Sequence, residues 1–297
     1  MFEIVRLVNV TLNTKDINKM LDYYTRVIGM YHIETDKDMN RYLSFGVDHH
    51  NLTLKPTKSN FGFQSFSFEI ATDYSIKNII QYFHDNNIAA HIKYNEEYNI
   101  PELIELSDLD GHLIHLYLES PKTSIDYKNE GISPNKLGHI AFTVDDVAQT
   151  VEFYETFLGF KVSDWMDDFF CFMRCNQDHH TVNFIESKKT QKMHHLAFEL
   201  KDSAHIITSN DMLYKHNKPL IWGPVRHGIG HNISTYHNDP EENKIELFTE
   251  LDIINDKHGA FEPRLVHDNN PQKPKVWKNT DDAANLWGTP PPEGFMD

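Results

Sequence analysis

The sequence lacks most of the features that mark secreted, membrane-embedded or nucleic-acid-binding proteins. Only two of its 297 residues are cysteines, Cys171 and Cys175, which is too few for a disulfide framework. No apolar run approaches the roughly 18 consecutive residues that a membrane-spanning helix needs. Basic residues are also scarce: 28 Lys and Arg stand against 44 Asp and Glu, and the net charge of -16 repels nucleic-acid phosphates and anionic lipid headgroups. We therefore expect a cytoplasmic protein that binds neither nucleic acid nor membranes.

Histidine, by contrast, is abundant, with 19 residues, and the chain repeats itself. RLVNVTLNTKDINKMLDYYTRVIGM, from Arg6, aligns with KLGHIAFTVDDVAQTVEFYETFLGF, from Lys136, at an offset of 130 residues. FSFEI aligns with LAFEL at the same offset, and DLDGHLIHLYLES aligns with DPEENKIELFTEL at an offset of 131. The chain therefore consists of two copies of one module.

The pattern within each copy predicts two units, each consisting of one strand, one helix and three further strands. Residues 7–12 alternate as a strand, and residues 16–28 carry apolar side chains at helical spacing up to Gly29. The second copy repeats this pattern over residues 145–158, and further helices are predicted at residues 75–86 and 203–216. We predict an α+β fold of two tandem domains, each built from paired βαβββ modules in an open mixed β-barrel. The predicted boundaries are residues 1–120 and 137–251 for the domains, 121–136 for a linker and 252–297 for a loop-like tail.

The two copies differ at three positions that could hold a metal ion. The differences are Asn9 against His139, Ser65 against His195, and His115 against Glu246. Two imidazoles and one carboxylate form the facial triad of non-haem Fe(II) oxygenases, and zinc also accepts this set. A histidine on a strand is more often a structural residue, and 19 histidines produce coincidental triples. All three changes nevertheless fall in one copy, which favours a metal site in the second module alone.

The residues around these positions resemble the type I extradiol catechol dioxygenases of the vicinal oxygen chelate superfamily, such as the catechol 2,3- and homoprotocatechuate 2,3-dioxygenases. The sharpest match is GPVRHGIGHNISTYHNDPEENKIE, residues 223–246, which is similar to the extradiol signature. LGHIAF and HHLAF resemble the two histidine ligand strands, and LWG at residues 286–288 resembles a C-terminal segment that covers the active site. Thr235 and Glu242 depart from the residues usual at their positions.

The resemblance implies a reaction and a role for each site residue. It implies extradiol cleavage of a catechol by O2 at a mononuclear Fe(II), with Mn(II) as the other candidate, giving a 2-hydroxymuconic semialdehyde-type product in aromatic-compound degradation. His139, His195 and Glu246 correspond to the metal ligands, and His180 to the acid/base histidine. Tyr236 would hold a catechol oxygen and His227 would orient Tyr236 or the substrate. The family also implies a homo-oligomer, often a tetramer.

The resemblance also indicates the substrate class. Relatives that act on aromatic acids hold the carboxylate with arginines, whereas the matching positions here are Trp222, Ala283 and Ala284. We therefore expect a neutral, apolar catechol in a pocket lined by Phe172, Trp222 and Trp287. Two alternatives remain: a glyoxalase-like metal isomerase or thiol transferase, and a metal-free small-molecule-binding protein. Such isomerases commonly draw ligands from both copies, and simple binding does not require the triad together with His180 and Tyr236.

Overall fold

The computed structural model describes residues 2–125, 130–189, 192–255, 260–262 and 274–296. The chain divides into two units, Met1–Ser133 with Phe153–Gly159, and Pro134–Glu152 with Phe160–Asp297. Each unit contains one large mixed sheet. In the described residues, no helix has the length and apolar character needed to cross a membrane.

The sheet of the first unit has eight strands in the order β2-β3-β4-β1-β5-β8-β7-β6. Its strands are β1 (Ile4–Thr14), β2 (Tyr31–Thr35), β3 (Arg41–Ser44), β4 (Leu52–Pro56), β5 (Gly62–Ile70), β6 (Ala90–Tyr94), β7 (Glu102–Ser107) and β8 (Leu113–Tyr117). β1 pairs in parallel with β4, and β5 in parallel with β8. Two βαβββ units therefore meet at the antiparallel β1–β5 pair.

The helices of the first unit are α1 (Ile17–Asp22) and α2 (Ile76–Asp85). Ser75 caps α2 by accepting from Asn78 N, at the start of the helix predicted over residues 75–86. The first helix differs from its prediction, because after Asp22 it continues as a π-helical turn, Tyr23–Val27. Thr25 Oγ1 donates to the carbonyl of Leu21, a side-chain hydrogen bond that competes with the backbone hydrogen bonds of an α-helix. Tyr23 and Tyr24, in the π-helical turn, are both buried.

The second unit repeats the arrangement with one additional strand, β19 (Lys275–Trp277), in the order β14-β15-β16-β13-β9-β12-β11-β10-β19. The repeated strands are β9 (Lys136–Val144), β10 (Lys161–Met166), β11 (Phe170–Arg174), β12 (Val182–Glu186), β13 (Lys192–Glu199), β14 (Leu220–Arg226), β15 (Ile233–Asn238) and β16 (Lys244–Thr249). The helices are α3 (Val147–Leu158), which is divided between the two units, and α4 (Ser203–Lys215). Four phenylalanines with no exposed surface or almost none lie in the core of this unit: Phe142, Phe184, Phe198 and Phe248.

The tail is more ordered than the sequence predicts. β17 (Ile253–Asn255) and β18 (Ala260–Glu262) form a two-stranded ladder, β19 (Lys275–Trp277) joins the large sheet beside β10, and α5 (Asp281–Ala284) follows. Because this segment has no repeat partner and many prolines, its sequence gave no periodic signal for these short elements. The prediction of an α+β fold of paired βαβββ modules is confirmed. Among the described residues, β14 and β19 are the two edge strands of the second sheet.

Candidate metal centre and active site

Three neighbouring strands bring the predicted ligands together. β9, β13 and β16 are adjacent in the sheet, and they carry His139, His195 and Glu246, all at most 5% exposed. In the register of the sheet, Ala197 on β13 lies opposite both His139 and Glu246. Gly138 leaves room for this packing, because a Cβ there would lie 2.3 Å from the ring of Phe248, which contacts His139.

The three side chains meet through one atom each. His139 Nε2 lies 3.3 Å from His195 Nε2, and each of these nitrogens lies 3.1 Å from Glu246 Oε2. The other carboxylate oxygen, Oε1, accepts from Asn232 Nδ2 at 3.1 Å and from Ser234 Oγ at 2.6 Å. The two neutral donors thus hold Glu246 with a single oxygen directed at the imidazoles.

Burial and charge keep this set in the form that binds metal. Burial lowers the pKa of His195 to about 4, although Glu246 opposes the shift. Burial alone would raise the pKa of Glu246, but His139 and His195 hold it well below its ordinary range. At neutral pH Glu246 is therefore an ionised carboxylate and His195 a neutral imidazole, which are the protonation states that metal ligands require.

The donor set fits a divalent cation. Ligand atoms bonded to one ion at about 2.1 Å stand roughly 3.0 to 3.4 Å apart, depending on the geometry, and the observed separations are 3.1 to 3.3 Å. Among the described residues, these three form the group of histidine, cysteine and acidic side chains close enough to share an ion. With three protein ligands, positions remain open for exogenous molecules.

His180 stands beside this centre. Its ring lies 4.3 Å from that of His139, and it lines the same cavity. Burial, reinforced by His139 and His179, holds the pKa of His180 well below its ordinary value, so the side chain is neutral at pH 7. A neutral imidazole in this position is able to accept a proton from a molecule in the cavity.

Tyr236 and His227 form a second polar pair at the cavity. His227 Nε2 lies 2.8 Å from the Tyr236 hydroxyl, and His227 Nδ1 lies 2.7 Å from the carbonyl of Ala284. Because the carbonyl only accepts, Nδ1 carries the proton, and the neutral ring accepts from Tyr236 through Nε2. Burial lowers the pKa of His227 and raises that of Tyr236 well above its usual value, so both groups are neutral at pH 7.

The cavity has a volume of about 300 Å³ and is mostly apolar beyond the ligands. Phe172 and Trp222 line it, and Trp222 stacks on Tyr236 with ring centroids 5.4 Å apart. Trp287, predicted to line the pocket, lies outside the described lining; its side chain is 56% exposed and its ring lies 5.9 Å from Arg226 Cζ. The tail contributes other residues instead: Asn279, Ala283, Ala284, Pro291, Phe295 and Met296.

Comparison with known proteins agrees with this architecture. The model of the Glyoxalase/Bleomycin resistance protein/Dioxygenase superfamily matches residues 136–247. Metapyrocatechase 2 of Cupriavidus necator is 27% identical over 169 residues, which span 50% of this chain and about half, 52%, of that protein. The Metapyrocatechase of Pseudomonas sp. (strain CF600) is 21% identical over 265 residues, 82% of this chain and 86% of that protein.

Two solved structures have nearly the same fold. Homoprotocatechuate 2,3-dioxygenase from Brevibacterium fuscum, in complex with 3,4-dihydroxyphenylacetate, gives a TM-score of 0.83 at 20% identity, covering 99% of this chain and 91% of that chain. The Mn(II)-bound glyoxalase from Novosphingobium aromaticivorans gives 0.83 at 21% identity, covering 99% and 94%. This chain has the vicinal oxygen chelate fold. The sequence resemblance to the extradiol dioxygenases is confirmed; because the fold also serves a glyoxalase, the activity has to be argued from the site.

The first unit has a different buried cluster where the second unit has its candidate ligands. Asn9 donates weakly to Thr11 and accepts from Thr53, and Ser65 is buried. His115 Nδ1 lies 2.6 Å from Glu97 Oε1. Burial would lower the pKa of His115, but Glu97 raises it, and His115 with His50 in turn holds the pKa of Glu97 below its usual range against desolvation.

Several residues of the candidate site were not predicted from the sequence. Asn232 and Ser234 lie inside the signature segment, and alternation along β15 places Ser234 on the same face as Tyr236. That alternation is a signal that could have identified Ser234. The sequence marks Ala284 only as an apolar position of the pocket, and its contact with His227 could not be predicted because it is made through the backbone carbonyl.

Proposed function

We propose that this chain is an extradiol dioxygenase that opens a catechol ring with O2, giving a 2-hydroxymuconic semialdehyde-type product. The observation that carries the proposal is the convergence of His139 Nε2, His195 Nε2 and Glu246 Oε2 on the wall of a cavity that also holds His180 and Tyr236. A triad alone fits several reactions, but a neutral base and a phenol beside it are suited to a substrate that binds through two hydroxyl groups.

The metal is a mononuclear non-haem Fe(II) in this proposal, with Mn(II) as the other candidate. His139, His195 and Glu246 would hold it. Bound there, the ion supplies the open positions at which a catechol and O2 can meet. The donors of Asn232 and Ser234 keep the second oxygen of Glu246 occupied, which leaves the carboxylate a single oxygen to offer.

Tyr236 binds the substrate. Its proton is directed to His227 Nε2, since His227 Nδ1 is occupied by the carbonyl of Ala284. A lone pair of the phenol oxygen therefore remains to accept from a catechol hydroxyl. Because the raised pKa of Tyr236 keeps the phenol neutral, it binds that hydroxyl without adding a charge to the buried site.

His180 moves protons. The lowered pKa of His180 makes the imidazole neutral and ready to take a proton from a catechol hydroxyl, and the conjugate acid can return it later in the reaction. The ring of Phe172, with its centroid 5.4 Å from that of His180, closes one side and excludes water from this exchange.

The substrate is a neutral catechol. No lysine or arginine occurs among the described residues that line the cavity, and Ala283 and Ala284 leave apolar surface where a guanidinium would be needed for a carboxylate. A charged substituent buried in this part of the cavity would lose its hydration without gaining a partner. Catechol or an alkyl- or aryl-substituted catechol is therefore preferred over 3,4-dihydroxyphenylacetate.

The test is a direct assay of ring cleavage. Protein stripped of metal and reloaded anaerobically with Fe(II) is given catechol and oxygenated buffer, while O2 uptake and the yellow semialdehyde are followed. We expect one O2 consumed per catechol, and Mn(II)-loaded protein in parallel identifies the active metal. A colourless mixture without O2 uptake refutes the proposal, and thiol-dependent isomerisation of an α-ketoaldehyde under those conditions would identify a glyoxalase-type enzyme instead.

A further inference from the structure

Asp164, on β10, is a buried carboxylate in a fixed hydrogen-bond environment next to the cavity. Its Oδ1 accepts from the backbone N–H of Lys275 at 3.0 Å, and its Oδ2 accepts from Trp277 Nε1 at 3.1 Å. Both donors come from β19, the tail strand that pairs in parallel with β10. The side chain of Asp164 is 1% exposed, so the residue has little contact with water.

The third partner of Asp164 is His179, whose Nε2 lies 3.2 Å from Oδ2. A backbone N–H and an indole N–H can only donate, and the carboxylate that they surround is therefore an acceptor. His179 must then carry its proton on Nε2. Its other nitrogen, Nδ1, is left with a lone pair, because neutral imidazole holds one N–H and one acceptor.

The position of the proton on His179 determines which nitrogen of His180 carries a proton. The Nδ1 atoms of the two rings lie 3.0 Å apart, so one of them donates and the other accepts. Since His179 Nδ1 is the acceptor, His180 Nδ1 carries the proton, and His180 Nε2 is left unprotonated for the cavity that the ring lines. The order of hydrogen bonds from Trp277 to His180 thus fixes the tautomer of the last ring.

We propose that Asp164 and His179 are positioning residues that hold His180 in the Nδ1–H tautomer, with Nε2 presented to the cavity as a base. The role of His180 in ring cleavage rests on the function proposed above, whereas the tautomer does not. Without Asp164, both rings could exchange donor and acceptor, and His180 would present an N–H that cannot accept a proton.

The first module has the same pair of histidine rings, but a glutamate takes the place of the buried aspartate. His49 Nδ1 lies 3.1 Å from His50 Nδ1, which repeats the contact between His179 and His180. At the position of Asp164, however, the repeat has Glu34, which is partly exposed, and the ring of His49 stacks on Tyr98 with centroids 5.0 Å apart. Glu34→Gln is therefore a matched control, with the same chemical change at the equivalent place.

The experiment uses Asp164→Asn in the full chain. The amide can donate to His179 Nε2 and so reverse both rings. With histidine labelled by 15N and the site loaded with diamagnetic Zn(II), long-range 1H–15N correlation spectra distinguish Nδ1–H from Nε2–H, and His180→Gln assigns the signal. We expect His180 as Nδ1–H in the wild type and in Glu34→Gln, and as Nε2–H in Asp164→Asn. A wild-type His180 with its proton on Nε2, or an unchanged tautomer in Asp164→Asn, overturns the proposal.

Turnover gives the second readout. We expect kcat for catechol to fall between about 10²-fold and 10⁴-fold in Asp164→Asn, the upper value being that of the aspartate-to-asparagine change that sets the wrong histidine tautomer in serine proteases. KM and iron content should stay within about twofold, because neither group touches substrate or metal. A loss confined to KM or iron content contradicts the positioning role. If the wild type cleaves no catechol but the tautomer still switches, the proposed function fails and the positioning role stands.

Discussion

Removal of the Ser234 hydroxyl should weaken metal binding about tenfold while leaving the fold intact. Ser234 Oγ lies 2.6 Å from Glu246 Oε1, and Asn232 Nδ2 is the second donor, at 3.1 Å. In Ser234→Ala the carboxylate keeps one of these two donors and is freer to turn away from the imidazoles. Loss of a group that orients a metal ligand costs about 10–100-fold in affinity, or roughly 1.4–2.7 kcal/mol. Because Asn232 remains, we expect the lower end of that range.

Competition between the protein and a chelator of known affinity measures this change directly. The matched control is Thr235→Val. Side chains alternate along β15, so Thr235 points to the face opposite Ser234, and its buried hydroxyl has no hydrogen-bond partner among the described residues. Valine at this position should leave metal affinity unchanged, since removing an unpaired hydroxyl is close to neutral. Equal losses in the two variants, or none in Ser234→Ala, would refute the reasoning.

Three further predictions concern the ligands, the first module and the substrate. Glu246→Ala should abolish iron retention, measured by metal analysis, and turnover, whereas Asn9→Ala, at the position of the first module that matches the ligand His139, should keep both; equal losses would contradict a single site. His115 has a raised pKa, so its contribution to stability is complete below about pH 6.5 and is lost as pH rises through that raised value. The melting temperature of the wild type should therefore fall above pH 6.5, and that of Glu97→Gln should be lower and less dependent on pH; parallel curves would argue against the pair. Ala284→Arg should lower KM for 3,4-dihydroxyphenylacetate relative to catechol by about tenfold, the low end for a hydrogen bond to a charged group; unchanged selectivity in steady-state kinetics would argue against the apolar wall.

The sequence predicts most of the fold because the two modules of the chain can be aligned with each other. Offsets of 130 and 131 residues identified both modules, and they selected His139, His195 and Glu246, whose ligand atoms lie within 3.3 Å of one another. This worked because equivalent positions of a repeated sheet occupy equivalent places, so a change of residue type in one copy reports on chemistry rather than on packing.

Features outside the repeat could not be predicted in the same way. The tail has no second copy, and its strand β19 and helix α5 are too short to produce a periodic pattern. Trp287 was predicted to line the cavity from a three-residue match, and its ring lies near Arg226 instead. Asp164 and His179 act through hydrogen bonds made across the sheet and to the tail, which spacing along the chain does not reveal.

Because the two modules differ in the groups that neutralise their buried glutamates, we expect their stabilities to depend on different solution conditions. In the first, His115 lies 2.6 Å from the buried acid Glu97, and its pKa is raised by that contact; in the second, the proposed divalent ion would supply the positive charge beside Glu246. A chelator such as EDTA should therefore loosen only the later half, and mild alkali only the earlier one. Amide hydrogen exchange would then show two regions of the polypeptide that open independently, the later one after removal of the metal and the earlier one after loss of the proton from His115.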